Sequence, residues 1–418
     1  MSKSSGKIKI LHVVEYLSGG GVEEWLKNIC ILCDRNSFSF KVYSCGFIYD
    51  SGLFNYAEEL RKSGIEVISR EINLSGQNNR TTAFKNITDS SGFLKQSRRF
   101  LMTFLLCLIA SWDLLFILRR EKFDIIHIHM YRLFIPAGLI GKLSGKTVVY
   151  TVPGLKSQLD SYQPSIYWIY RHFNYLVDIF ATGVPKEELI NHANVAESKI
   201  RYLKPGVDVT KVSIVKRENN PVISEFNLGS SFPVLLSVGR MDTEKGHAYS
   251  IRAAKSLITR FPGLKLIIPG DGPDMEKMRS LVSELGLGDN VIFPGFRIDI
   301  ENFHSLADVY LRTSVFEGAN MASIWAMAYG KAVIGFDTKS CTEILTNNEN
   351  GILVPSKDAG KLAEAIGMLC DDKDTRERIG KNARELINNN YNIIDSMHTY
   401  EDIYKSSVKN KKTAVKQC

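Results

Sequence analysis

Two cations five residues apart carry the first chemistry legible in this sequence. Arg240 and Lys245 stand in the run R-M-D-T-E-K-G, directly after the apolar stretch PVLLSV at 233–238. Such a pair at the mouth of a buried strand can clamp a diphosphate, the Arg as a bidentate fork and the Lys as a point charge. With Asp242 and Glu244 beside them, the same residues also read as solvated surface charges. Three glycine loops, each between a strand-like and a helix-like stretch, point towards phosphate too. They are Gly19-Gly20-Gly21, Gly239 before the helix at 246, and Gly318, which follows Glu317 just before the helix near 321–329. Free N–H groups at helix N-termini favour anions. None of the three has G-x-G-x-x-G or P-loop spacing, which sets dinucleotide and ATP sites aside. His127 and His129, two residues apart, share one face of a strand. A metal needs a third ligand that the sequence does not display, so a structural or acceptor-side place is expected for them, and no metal.

These residues need strands and helices to position them, and the chain supplies both in alternation. Residues 8–14, 40–45, 65–69, 124–130 and 147–152 read as buried strands, and 22–33 repeats its apolar residues with a helical period. Residues 73–92 read as a long polar loop. The stretch at 211–231 is polar, contains Pro221 and Gly229, and reads as an interdomain linker. The pattern then restarts, with strands at 233–238, 264–269, 291–293, 308–313 and 332–336 and helices at 246–261 and 273–288. Strands alternating with helices predict an α/β protein of two doubly wound parallel sheets, with ligands in the cleft between the domains. Residues 100–118 are the most apolar stretch, flanked by Arg98 and Arg99 before and by Arg119, Arg120 and Lys122 after. With Asp113 near its middle the stretch is favoured as a helix covering the first sheet. An interfacial helix with basic flanks comes next, and a membrane span is the costliest reading.

Composition bounds the function classes. The chain has 418 residues, 44% hydrophobic and 23% charged. That suits a soluble globular protein of two or three domains and excludes collagen-like, coiled-coil and mostly disordered chains. Seven irregularly spaced cysteines argue against a disulfide scaffold. Cys30 and Cys33 sit at helical spacing and read as small core residues. With no apolar run at the N-terminus long enough for a leader, the expected location is cytoplasmic. The net charge of +8 is uneven. Residues 1–210 hold 26 basic and 19 acidic residues, a net of +7, which suggests an anionic partner such as a membrane surface. No nucleic-acid signature accompanies it.

The motifs together resemble the retaining nucleotide-sugar glycosyltransferases of family four, which have the two-domain GT-B fold. In the second half the resemblance rests on SVGRMDTEKGH at 237–247, IIPGDGP at 267–273, VIFPGF at 291–296, ADVYLRTSVFEG at 307–318, AMAYGKAVI at 326–334 and NGILVP at 350–355. GGVE at 20–23, DIIHIH at 124–129 and PGVD at 205–208 extend it to the first half. It implies an acceptor-side domain over 1–212, a linker at 213–231, a donor domain over 232–395, and a returning C-terminal helix with a basic tail over 396–418. It implies a hexosyltransferase that moves a sugar from a nucleotide diphosphate to a glycan or lipid-linked acceptor in surface-polysaccharide or glycoconjugate synthesis. It implies no cofactor and no metal; the basic first half and the segment 98–122 add the expectation of a peripheral place on the cytoplasmic membrane face. Arg240, Lys245 and Glu317 take the catalytic roles. Donor contacts fall to Gly20, Gly21, Gly239, Gly270, Phe296, Gly318, Ala319, Asn320, Met321 and position 325, and His127 and His129 stay on the acceptor side.

Three positions depart from the family pattern. Trp325 replaces the second glutamate, which would hold the ribose; Pro153 stands where a histidine is usual; Pro205 replaces an asparagine. These departures raise a second reading, a catalytically degenerate partner subunit, against which Arg240, Lys245 and Glu317 are retained.

Overall fold

The computed structural model describes residues 6–17, 21–48, 56–71, 93–152, 165–183, 186–315 and 321–416. In chain order its strands are β1 Ile8–Val14, β2 Phe38–Ile48, β3 Glu66–Glu71, β4 Ile125–Ile128, β5 Thr147–Val152, β6 Ile179–Thr182 and β7 Ile200–Tyr202, then β8 Val234–Leu236, β9 Lys265–Ile267, β10 Val291–Ile292, β11 Val309–Arg312, β12 Ala332–Phe336 and β13 Ile352–Val354. The helices are α1 Gly21–Leu32, α2 Tyr56–Lys62, α3 Phe93–Arg120, α4 Phe134–Leu143, α5 Ser165–Phe173, α6 Lys186–Ala193, α7 Pro221–Glu225, α8 His247–Leu257, α9 Met275–Glu284, α10 Ile300–Leu306, α11 Met321–Ala328, α12 Lys339–Thr342, α13 Ala359–Asp371, α14 Lys373–Asn390 and α15 Ile393–Lys416. The expected loop at 73–92 and the Pro153 position lie outside the described residues.

The chain forms two units. One holds β1 to β7 and takes back the chain from Met397 onward; the other runs from Lys204 to Ser396. The first sheet has the order β3-β2-β1-β4-β5-β6-β7 and the second β10-β9-β8-β11-β12-β13. Every strand pair is parallel. In both sheets the first strand of the unit lies centrally and the chain winds outward on each side. Helices therefore cover both faces, and the central strands must be apolar throughout. β4, β5, β8 and β12 are buried along their whole length.

The residues expected to form a linker do not. Within 211–231, Asn220 caps α7 by accepting from the Val222 amide at 3.0 Å. Val222 and Leu228 are fully buried in the core of the second unit. Arg217 donates to the carbonyls of Leu228 and Ser231. The polar composition marks the outer side of a short cover, while Val222 and Leu228 fasten it. The PGVD motif also belongs to this unit. The Val207 amide donates to Tyr391 O at 2.9 Å and the Ile393 amide to Val207 O at 3.0 Å. A Cβ at Gly206 would come within 2.8 Å of the Ile393 backbone.

In the first unit α15 is pinned by a buried polar chain. Trp25 Nε1 donates to Tyr400 Oη at 3.0 Å, Tyr400 Oη meets Thr151 Oγ1 at 3.0 Å, Thr151 Oγ1 meets His127 Nε2 at 2.8 Å, and His127 Nδ1 meets Tyr404 Oη at 2.7 Å. One direction of donation satisfies all four links, from the indole through to Tyr404. Behind it His12, paired in register with His127, shares a 2.8 Å hydrogen bond with His129. Burial holds all three imidazoles neutral. His12 and His127 lie well below the usual histidine value, and His129 is pushed down to about 3. Cys30 and Cys33 are buried, as small core residues would be.

These histidines set a pH dependence. Unfolded, they take up protons near 6.5; folded, His129 resists until about 3. The stabilisation is therefore complete above 6.5 and is lost as pH falls from there towards 3. The slope is about 1.4 kcal/mol per pH unit for each histidine. Between about pH 7 and about pH 5, hydrogen-exchange protection of β1 and β4 should fall while the three imidazole resonances do not titrate. Ordinary titration of these rings near 6.5 would contradict the burial argument.

Candidate functional site

In an open parallel sheet the place for a ligand is beyond the carboxyl ends of the strands, where the winding reverses. In the second unit that point lies between β8 and β11. The cation loop leaves β8, and the segment leading to Glu317 leaves β11. After β8 the chain passes Gly239, makes a 3-10 turn over Thr243–Lys245, turns at Gly246 with φ 66°, and enters α8. Asp242 organises the turn: its Oδ1 accepts from the Lys245 amide at 3.1 Å, and its Oδ2 takes Arg240 Nε and Nη2, each at 2.7 Å. Arg240 keeps its side chain 66% exposed. The stem of Lys245 lies along Gly239, where a Cβ would stand 3.3 Å from Lys245 Cδ.

The loops after β8, β9 and β11 are stitched backbone to backbone. Gly239 N donates to Pro269 O at 3.1 Å, Met241 N to Asp271 O at 3.0 Å, Asp274 N to Met241 O at 2.9 Å, and Val315 N to Glu244 O at 2.9 Å. Thr313 Oγ1 donates to Lys245 O at 3.1 Å, and buried His247 meets Ser237 Oγ at 3.1 Å beneath the loop. Asp274 accepts from Thr243 Oγ1 at 2.8 Å and from Lys277 Nζ at 2.6 Å, bonds that hold its carboxyl below the usual aspartate range. Ser237, Asp242, His247, Asp274 and Thr313 are positioning residues that the sequence reading did not single out. Each lies inside or next to a quoted motif, which was the available signal.

The expected donor residues divide. Gly239 and Gly270 come together here: a Cβ on Gly270 would meet Gly239 O at 1.9 Å. Phe296, after Gly295 in the loop following β10, is 47% exposed and offers an aromatic face. Met321 opens α11, and Trp325, one turn on, leans partly exposed against the core of the second unit. Gly20, Glu317, Gly318, Ala319 and Asn320 lie outside the described residues, and Gly21 is the first residue of α1.

In the first unit, the histidines expected on the acceptor side are core residues. His127 and His129 are fully buried, and His127 has both ring nitrogens engaged by Thr151 and Tyr404. The third imidazole that the sequence did not display is His12. The three offer ligand atoms within 4.8 Å of one another. A metal there would displace a hydrogen bond of His127, and the set holds no carboxylate to offset the ion's charge. What the sheet presents at its own reversal point, between β1 and β4, is an ion pair. Glu15, just past β1, takes Arg132 Nη1 at 2.5 Å from just past β4. Glu23, in the first turn of α1, is pushed up to about 7 by burial, with the charge of Glu15 adding to the effect. An acid right after a buried strand, and the glutamate of GGVE, were the signals for these.

Gly246 is the position where the loop geometry is easiest to test. Its φ is left-handed, and a Cβ would press within 2.1 Å of Thr313 O. Gly246→Ala should destabilise the second unit by at least about 2 kcal/mol in urea unfolding, through strain and overpacking together. A variant of unchanged stability would show that the β8 and β11 loops are not locked in this way.

Known proteins match this arrangement at both levels. The family model described as "Glycosyl transferases group 1" matches residues 220–386, and "Glycosyltransferase Family 4" matches residues 52–211. The UDP-Gal:alpha-D-GlcNAc-diphosphoundecaprenol alpha-1,3-galactosyltransferase of Escherichia coli is 26% identical over 309 residues, covering 71% of this chain and 78% of its own. The N-acetylgalactosamine-N,N'-diacetylbacillosaminyl-diphospho-undecaprenol 4-alpha-N-acetylgalactosaminyltransferase of Campylobacter jejuni is 27% identical over 236 residues, 53% of this chain and 62% of its own. In fold, the Anabaena protein HepE, solved with UDP and glucose, covers 96% of this chain and all of its own with a TM-score of 0.76 at 17% identity. With two glycosyltransferase models that together span residues 52–211 and 220–386, and with the two-sheet fold shared with HepE over almost its whole length, the chain is a glycosyltransferase of the family-four type with the GT-B fold.

Proposed function

We propose that this glycosyltransferase moves a sugar from a nucleotide diphosphate donor to a hydroxyl of a lipid-linked or glycan acceptor, with retention at the anomeric carbon. The observation that carries the reading is the cation loop at the β8/β11 reversal point. Arg240 and Lys245 hang from a turn fixed by Asp242 and Thr313, beside an α8 N-terminus that adds its dipole. Charge builds on the leaving diphosphate as the bond from the anomeric carbon to phosphate oxygen breaks, and preorganised cations there stabilise it. The acceptor oxygen bonds to the same carbon, and its proton ends on the departing phosphate. Glu317 orients the sugar, and Phe296, exposed in the loop after β10, stacks on the base. The relatives named above, with diphosphoundecaprenol in their names, support a lipid-linked acceptor. On the acceptor side the Glu15–Arg132 pair and Glu23 replace the two histidines as the polar groups at the sheet's open end.

With UDP-galactose, UDP-glucose and GDP-mannose assayed against a diphosphate-linked lipid acceptor, one donor should be consumed, and the product should keep the donor's anomeric configuration by NMR. Arg240→Ala and Lys245→Ala should each lower turnover by about 10²–10³ without unfolding the protein. Near-wild-type turnover in either variant would overturn the clamp, and an inverted product would overturn retention.

Trp325 gives a separate test. A carboxylate at this position would accept bonds from ribose hydroxyls, whereas the indole has one N–H to give. Because Trp325 is partly exposed, Trp325→Glu should fold and should bind donor roughly tenfold more tightly in titration calorimetry. Unchanged affinity would remove position 325 from the donor site.

A further inference from the structure

Over the described side chains, helix α3 shows two apolar faces, one of which is buried against the first unit. Ala110, Leu114 and Ile117 are buried against the first unit. Asp113, the charge in the middle of the run, accepts from Tyr43 Oη at 2.8 Å and so is turned towards β2. Away from that face stand Leu105, Leu108, Trp112, Leu115 and Phe116, respectively 43%, 51%, 73%, 36% and 49% exposed. At 3.6 residues per turn these five fall within an arc of about 100°, centred roughly opposite the buried one. Scattered exposed apolar residues need no explanation; five in one stripe, with a tryptophan the most exposed, do.

The charges beside the stripe say what covers it. Arg119 and Arg120 are exposed at its C-terminal end, Lys122 follows exposed, and the Arg120 guanidinium lies 3.9 Å over the Phe116 ring. The neighbouring acid, Glu121, is occupied by Lys41 at 2.5 Å. Cations therefore border the stripe, and the two nearby acids, Asp113 and Glu121, are each paired with a residue of β2. Among the described residues no helix is long and apolar enough to cross a membrane; a helix with one apolar face and basic flanks is suited to lying in an interface.

We infer that the outer face of α3 docks the protein onto an anionic lipid bilayer, with Leu105, Leu108, Trp112, Leu115 and Phe116 entering the headgroup boundary and Arg119 and Arg120 meeting lipid phosphates. Trp suits the interface, where an apolar ring and a polar N–H are both accommodated. The inference is independent of the donor and acceptor, because binding is read without either.

The test is co-sedimentation of the full chain with vesicles of phosphatidylcholine, alone or mixed with phosphatidylglycerol. The full chain should bind the mixed vesicles, and binding should weaken as salt is raised. The exposed double variant Leu108→Ser/Trp112→Ser should weaken partitioning by at least about tenfold. Arg119→Ser/Arg120→Ser should weaken it on the mixed vesicles only. Met368→Ser, an exposed apolar position in the second unit, should change nothing. Circular dichroism of each variant separates lost docking from lost folding. Equal binding by the Leu108/Trp112 variant, or no binding at low salt, overturns the inference. Equal binding to neutral vesicles overturns the anionic assignment. Self-association that the Leu108/Trp112 variant abolishes would make a second copy of the chain the occupant instead.

Discussion

The candidate donor site depends on how closely three backbone loops can approach each other. At the carboxyl end of the second sheet, the loop after β8 is pressed between the loops after β9 and β11. At Gly270 a side chain would overlap Gly239 O, at Gly272 it would overlap Met241 O, and at Gly246 it would overlap Thr313 O. Backbone N–H and C=O groups that would otherwise be stranded in these loops find each other across the gaps. The cations of the loop then need little positioning of their own. Asp242 caps the turn and holds Arg240, and the glycine at 239 leaves room for the stem of Lys245.

The first unit is held by a different device, a buried polar chain closed by the far end of the sequence. Tyr400 and Tyr404 of α15 reach Thr151 on β5 and His127 on β4, and Trp25 of α1 reaches Tyr400. A buried network of this kind tolerates little change, because each member leaves a partner unsatisfied if it is removed. It rigidifies the sheet whose carboxyl end, between β1 and β4, carries Glu15 and Arg132, with Glu23 on α1 nearby. Rigid support below and ionisable groups above are what the proposed acceptor site would draw on.

Helix α3 shows how one stretch can serve two environments. Its inner face and Asp113 satisfy the sheet, which explains why a charge is tolerated in the most apolar run of the chain. The outer face, with its basic end, is left over from folding. Hydropathy along the sequence merges these two faces into one apolar run, and only the helix period separates them.

The sequence by itself determined the alternation of strand and helix, hence the parallel sheets. It also placed the glycine loops, since the glycines that permit close approach are punctuation any fold must respect. β1 and β5 fall where the apolar runs lie, and Arg240, Lys245, Gly239 and Gly270 do meet at one strand edge. The short strands β6, β7 and β13 escaped because three or four residues carry too little period to register, and β7 has only one buried residue. Residues 211–231 read as a linker because composition reports solvent exposure, whereas Val222 and Leu228 bind them to a core that exists only once the chain is folded. His127 and His129 invited a functional reading because their burial depends on α15, more than 250 residues away in sequence. His12, Glu15 and Arg132 became partners only when β1 and β4 paired. Local pattern fixes which residues can form an element, but which polar groups face each other follows from the register between elements, and that is a property of tertiary structure.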